Sequence, residues 1–227
     1  MGLKSLYNEM SEDSKANLGK GSSKINTAGT HLVTVDSMMV IDDSRVKVEF
    51  KNGAGQTVDL VGFLTSKDPS KQEAVVARVM NMLAQMCTAA GTELKSVLAK
   101  SVNGSVDYKS GTVPTEEYPT IKGKKLYITT YTEVEADGKD PKKTWDRQVV
   151  DSFKFFDTKK RNGLEISSDA DEGTTLEDAD AEAKGRVEAS WKSQANPAVQ
   201  ARVATLLGGK TVNTAAGSTD DIDSEDI

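Results

Sequence analysis

The sequence predicts a mainly β protein with helices, an α+β class. Five strands form a small barrel with one helix between the third and fourth, and C-terminal helices and a disordered acidic tail follow. Three observations carry this. Five segments alternate apolar and polar residues with period two, the signature of half-buried strands. One strongly amphipathic helical segment separates the third of them from the fourth. Charge divides the chain: residues 1–163 hold 24 Lys and Arg against 21 Asp and Glu, whereas residues 164–227 hold 5 against 14.

Taken in order, Leu3, Leu6, Tyr7 and Met10 recur at helical spacing and predict a short helix ahead of the Gly/Ser-rich stretch Gly19–Ser23. Residues 1–29 thus read as an N-terminal helix and flexible arm. His31–Ile41, Arg45–Phe50 and Thr57–Leu64 read as a three-stranded meander, with Asn52-Gly53 supplying residues that tolerate positive φ in a tight turn. Asp68-Pro69-Ser70 opens a helix through the capping-box spacing of Ser70 and Glu73. Val75, Val76, Val79, Met82, Leu83 and Met86 line one face of it, and Met80, Met82 and Met86 read as helix core. A second helix is expected over Glu93–Lys100, and Asn103–Pro119, rich in Gly, Ser, Thr and Pro, reads as a long loop. Lys125–Glu135 and Trp145–Phe156 complete the strands around a turn beginning Asp137-Gly138. This is the element order of an OB-type barrel over residues 30–163, although order alone leaves an SH3-like or open sheet available.

Beyond Gly163 the residues Asp169, Asp171, Glu172, Glu177, Asp178 and Asp180 read as solvated. Ala183–Ser193 and Pro197–Leu207 read as helices, the second capped by Asn196 with Pro197 in its first turn and stopped by Gly208-Gly209. Residues 164–209 are thus an acidic linker with a helical extension. Residues 210–227 read as a disordered tail, because a run with five acids and no base in its last eight residues repels itself.

Composition narrows the chemistry. One Cys (Cys87) excludes an internal disulfide, and one His (His31) leaves little material for zinc sites or His-based triads. The stretch Gly19-Lys20-Gly21-Ser22-Ser23-Lys24 fails the phosphate-loop pattern, and Asp220–Glu225 lacks the spacing of a calcium loop. No metal or cofactor is expected. With 37% hydrophobic residues and no apolar run near the ~18 needed to span a bilayer, no membrane partner is expected either. His31 and Cys87 read as structural.

The two late strands carry the functional signal. Alternation places Tyr127, Thr129 and Tyr131 with Lys125 on one face, and Trp145, Arg147, Val149, Phe153 and Phe155 on one face of the partner strand. Residues 122–161 hold 11 basic against 7 acidic residues. Rings beside cations on a sheet suit a single-stranded nucleic acid, since rings stack on bases and cations neutralise phosphates. The candidate DNA-binding set is Lys122, Lys124, Lys125, Tyr127, Tyr131, Lys142, Lys143, Trp145, Arg147 and Lys154; the competing reading makes the rings core. In the tail, Asp220, Asp221, Asp223, Glu225, Asp226 and Ile227 form a candidate recruiting peptide, acidic with an apolar end, which could also compete with DNA for the basic groove.

The layout resembles bacteriophage single-stranded DNA-binding proteins of replication and recombination. It joins an OB-like body to an acidic tail ending Asp-Ile-Asp-Ser-Glu-Asp-Ile, and includes the segments Tyr118–Ile128 and Val149–Phe153. The resemblance implies a non-enzymatic, sequence-independent protein that protects and organises single-stranded DNA during replication, recombination and repair in the cytoplasm of an infected bacterium. It also implies recruitment of polymerase and helicase or primase through the tail. Tails in that group often end in Phe where this chain has Ile227, and the helices between 183 and 207 have no assigned role. A homodimer fits this reading. The alternative is a phage virion or assembly protein without nucleic-acid function.

Overall fold

Strand β1 (Gly29–Ile41) is long enough to serve three neighbours. One edge is hydrogen-bonded along Val33–Ile41 to β2 (Arg45–Asn52), which pairs in turn with β3 (Thr57–Phe63). The other edge is shared: Gly29–Thr34 pairs with β6 (Lys125–Ala136) and Met39–Ile41 with β5 (Gly111–Glu117). A bulge between Val35 and Ser37 marks where β1 passes from one partner to the next. Among the described residues, strand β4 (Val102–Tyr108) pairs only with β5, and β7 (Thr144–Phe156) only with β6. The computed structural model of the chain describes residues 24–108 and 111–208. The N-terminal helix expected at Leu3–Met10 and the tail residues Asp220, Asp221, Asp223, Glu225, Asp226 and Ile227 lie outside them.

Among the described residues the result is an eight-stranded, predominantly antiparallel sheet that does not close. β3 and β7 come together without a hydrogen-bonded ladder, so the five-stranded barrel expected from the sequence is replaced by an open sheet with three additional strands. Two of these form a hairpin where Asn103–Pro119 reads as loop. Its Gly, Ser and Pro content hides the alternation of Val102 and Val106 opposite Glu117 and Val113, and the end of β1 offers an edge that β5 satisfies. The third, β8 (Val187–Ala189), lies parallel to β6 at Thr132–Val134, on the edge that β1 vacates. A helix over Ala183–Ser193 therefore does not form: a helix ends at Gly185, β8 follows, and a 3₁₀ turn takes Trp191–Ser193.

Among the described residues there are five α-helices: α1 (Gln72–Ala89), α2 (Leu94–Leu98), α3 (Gly163–Ser167), α4 (Leu176–Gly185) and α5 (Pro197–Leu206). The entry to α1 is capped by Asp68, whose carboxylate accepts from Ser70 N, through a 3₁₀ turn at Pro69–Lys71; Ser70 is not the cap. Met80 is 37% exposed, unlike Met82 and Met86. α4 arises within the acidic stretch because Leu176, Ala179 and Ala183 fall on one buried stripe. Asp180 in that helix is half-buried rather than solvated: it accepts Thr30 N at 2.7 Å and Thr30 Oγ1 at 3.0 Å, and pairs with Lys184 at 2.6 Å. The β2–β3 turn uses Asn52 Oδ1, which accepts from Ala54 N and Gln56 N, and places positive φ at Gly55 rather than Gly53. Asn196 caps α5 as expected, accepting from Ala198 N at 2.9 Å.

The core lies between the sheet and α1. Val35, Phe50, Met86, Cys87, Val97, Ile121, Leu126 and Ile128 are fully enclosed. Burial pushes the Cys87 thiol up to about 11, so it is an inert apolar side chain. α1 crosses β3 at Gly62, where a Cβ would stand 3.1 Å from the Val79 methyls. A second, smaller core joins Val134 to Val199 and Val203 of α5, and a third packs Phe156 on Leu176 and Ala179. No helix of the described residues is long and apolar enough to cross a membrane. Truncating Ile128 to Ala is expected to lower unfolding free energy by ~2–5 kcal/mol in urea titration with an unchanged m-value, whereas Met80→Ala should stay within about 0.5 kcal/mol.

Candidate nucleic-acid interface

Where β3 and β7 face each other without pairing, a groove of about 920 Å³ opens. One wall is β3. Val58 and Leu60 face the core, while Val61 and Phe63 fall on the opposite phase of the strand and are 44% and 43% exposed. The other wall is the start of β7 with Trp145, Arg147 and Val149, and the floor continues to Trp191, Lys192 and Leu206. Trp145 is 47% and Trp191 42% exposed, so three large rings stand open at one groove.

The β7 wall is held in place by a braced hairpin. Asp137 Oδ1 accepts from Lys139 N at 2.7 Å, and Asp137 N donates to Lys143 O at 2.9 Å. Asn196 Nδ2 donates to Pro141 O, and Arg202 clamps Asp146 at 2.6 Å, tying the hairpin to α5. Lys142 and Lys143 project from this turn, exposed, with Lys143 3.5 Å from Asp140.

The predicted residues divide into those at the groove and those elsewhere. Trp145 and Arg147 line it. Arg147, however, is engaged: its Nε donates to Glu133 Oε1 at 2.7 Å, a second nitrogen reaches the same oxygen, and Glu135 is 3.7 Å away. Its guanidinium also sits 5.9 Å from the Trp145 ring centroid. It acts as a brace for Trp145 more than as a phosphate contact. Lys122, Lys124 and Lys125 are exposed, but they lie at the other end of β6 from Glu135, the partner of Trp145. Ten residues of strand separate Lys125 from Glu135, roughly 33 Å. The set read as one site is therefore spread along the whole strand.

Four further expectations are corrected. Tyr127 packs against the Phe156, Leu176 and Ala179 cluster, so its ring supports α4. Tyr131 is half-buried under Arg186, whose guanidinium lies 4.0 Å above the ring. Burial, with Glu188 nearby, pushes its hydroxyl up to about 12. Arg186 is fixed by Asp151 at 2.8 Å and Glu188 at 2.6 Å, so that face of Tyr131 is closed to a base. Lys154 pairs with Glu182 at 2.6 Å, which engages its charge. In β7 the shared face of Trp145 and Phe155 is broken by an irregularity: β6 passes from Ile128 to Thr130 while β7 passes from Phe155 to Val150. Phe155 turns into the core and Phe153 out of it.

Phe63 and Trp191 are the rings that the sequence reading missed. The signal for Phe63 was present, since Val61 and Phe63 are apolar on the phase opposite to Val58 and Leu60. Trp191 had no such signal, because its position depends on β8 docking beside β6.

The groove is electrostatically mixed. Lys24 lies 3.3 Å from Asp59, Lys192 stands over the Trp191 ring at 5.2 Å, and Glu135 and Asp146 also line the walls. Asp59 Oδ1 and Gln148 Oε1 are enclosed acceptors with no hydrogen-bond partner. Stacking rather than a strong positive field is what this surface offers. No group of three or more metal-binding side chains converges among the described residues. Replacing Trp145 or Trp191 by Leu is expected to change thermal stability by no more than about 0.5 kcal/mol, whereas Tyr131→Ala, which uncovers Arg186, should cost ~1–3 kcal/mol in thermal unfolding.

Compared with models of known protein families, the chain matches none, and a search of curated proteins likewise returns no match.

Proposed function

We propose that the chain is a sequence-independent single-stranded DNA-binding protein, and that the groove between β3 and β7 takes the strand. The observation that carries this is the convergence of Phe63, Trp145 and Trp191, each close to half exposed, on one open groove. Exposed rings gathered in one patch mark a binding surface more often than rings scattered singly, and base stacking is worth ~1–3 kcal/mol per ring. The strand order β3-β2-β1-β6-β7, with α1 between β3 and β6, supports an OB-like ancestry for the body. On this reading the protein is not an enzyme. It organises single strands for replication, recombination and repair in a phage-infected cell. The acidic terminus Asp220–Ile227 recruits polymerase and helicase or primase.

A second reading, a virion or assembly subunit, draws on one feature. β4 is an exposed seven-residue edge strand without Lys or Pro, the kind of edge that another chain can extend.

The test is tryptophan fluorescence during titration with oligo(dT). Binding through the groove should quench the signal, and Trp145→Leu and Trp191→Leu should each cost ~1–3 kcal/mol in affinity without a loss of fold. Reversing Lys142 and Lys143 to Glu should weaken binding for all sequences alike, and reversing Lys124 and Lys125, far along β6, should weaken it much less. A large assembly that forms without nucleic acid and shows no quenching would favour the second reading. Removing Asp220–Ile227 should abolish retention of replication proteins in a pull-down while strand binding persists.

A further inference from the structure

Beyond the groove, the outer face of β2 and β3 carries side chains that the preceding reading leaves unused. Arg45 and Phe63 stand directly opposite in the β2–β3 register, so both leave the same face of the sheet. Asn52 N donates to Gln56 O, and counting the ladder from that bond makes Arg45–Phe63 a non-hydrogen-bonded pair, the kind with the closer side chains. From the other side comes Tyr108, the last residue of β4, its ring centroid 5.9 Å from the guanidinium carbon of Arg45. Phe63 is 43% and Tyr108 41% exposed. An arginine thus sits between two open rings supplied by different parts of the sheet.

The state of Arg45 distinguishes this place from an ordinary surface cation. The side chain is half-buried, its Nε is enclosed without a hydrogen-bond partner, and it forms no ion pair among the described residues. Lys47, two residues along the same face, is held by Glu49 at 3.4 Å and Asp59 at 3.4 Å. Asp42 and Asp43 in the adjoining turn are exposed, and neither pairs with Arg45; Asp42 takes the Ser44 hydroxyl. A partly desolvated cation with an orphaned donor is an unfavourable arrangement unless something supplies the acceptor. The planar fork of a guanidinium matches two oxygens of a phosphate, and the flanking rings match a nucleobase.

We infer that Arg45, Phe63 and Tyr108 form a phosphate-and-base subsite that continues the groove and holds a single-stranded nucleic acid where it leaves the two tryptophans. Phe63 belongs to both places, lining the groove and facing Arg45. The inference rests on the reading of the groove as a strand-binding surface. It also gives the β4–β5 hairpin a task, that of bringing Tyr108 to the face of β2.

The test is a titration of the full chain with two oligo(dT) lengths, roughly 5 and roughly 20 nucleotides, bracketing the ~4–16 nucleotides usual for such surfaces, at several salt concentrations. Arg45→Gln should weaken the longer strand about tenfold, the loss expected of one charge-assisted contact. It should also flatten the slope of log K against log[salt] by ~0.7, one phosphate's worth for single strands. The short strand, seated in the groove, should bind Arg45→Gln within about twofold of the unmodified chain. Arg45→Lys should keep the salt slope. Tyr108→Leu, which retains the charge, should weaken only the longer strand and leave the slope unchanged, and it carries the test if Arg45→Gln melts early. Unaltered affinity and slope for both Arg45→Gln and Tyr108→Leu, with binding still lost on Trp145→Leu, would overturn this subsite and spare the groove. Failure of the unmodified chain to bind either length would overturn both.

Discussion

The double-edged pairing of β1 is the constraint on which the rest of the architecture depends. A strand bonded to β2 on one side and to β6 and then β5 on the other cannot shift register without breaking three ladders. That fixes the meander relative to the late hairpin, and hence the distance between the facing edges of β3 and β7. It also leaves one edge of the far half of β6 open, the edge opposite β7. β8 fills that place, and with it come Trp191 and α5. The C-terminal extension is therefore part of the sheet rather than an appendage. Its small core around Val134, Val199 and Val203 keeps it there.

Four arginines serve to position their neighbours. Arg147 is occupied by Glu133 and Glu135, Arg186 by Asp151 and Glu188, Arg202 by Asp146, and Arg161 by Asp157 at 2.7 Å. Of these, the pairs with an exposed partner add little to stability, about 0–1 kcal/mol each, but they fix geometry. Arg186 shuts one face of Tyr131, while Arg147 steadies Trp145 beside the groove. The same cation type thus closes one ring and presents another. Arg45 departs from the pattern because no carboxylate meets it among the described residues.

Much of this was legible in the sequence, and the failures have physical causes. The meander, α1, β6, β7 and the Asn196 cap follow from period and capping chemistry, which are local. The β4–β5 hairpin was not readable, because Gly104, Gly111 and Pro114 lower local strand propensity and the pairing is induced by the free end of β1. β8 failed for the same reason: three residues of weak pattern adopt a strand because an edge is available. At the candidate site, Trp145 could be read from alternation, but Tyr127 and Tyr131 share that alternation and are covered by elements from far along the chain. Face is a local property, whereas exposure depends on what docks later. The Lys122–Lys125 cluster misled in another way, since proximity in sequence concealed a full strand length.

The junction of β1 with β6 has a kinetic side. Gly29 and Thr130, partners in that ladder, are 101 residues apart in sequence. Closing so long a loop carries an entropic penalty before any pairing compensates for it, which places the chain among slower, topology-limited folders. The β1–β2–β3 meander is local and can assemble first. During synthesis at ~5–20 residues per second, its open edge at Gly29–Thr34 then waits roughly 3–15 s for β6 to emerge. In that interval the nascent chain exposes an unprotected strand edge, the form most prone to pairing with a neighbour on the same polysome. Expression temperature and chaperone supply, more than the stability of the finished sheet, should therefore govern how much of this protein is recovered folded.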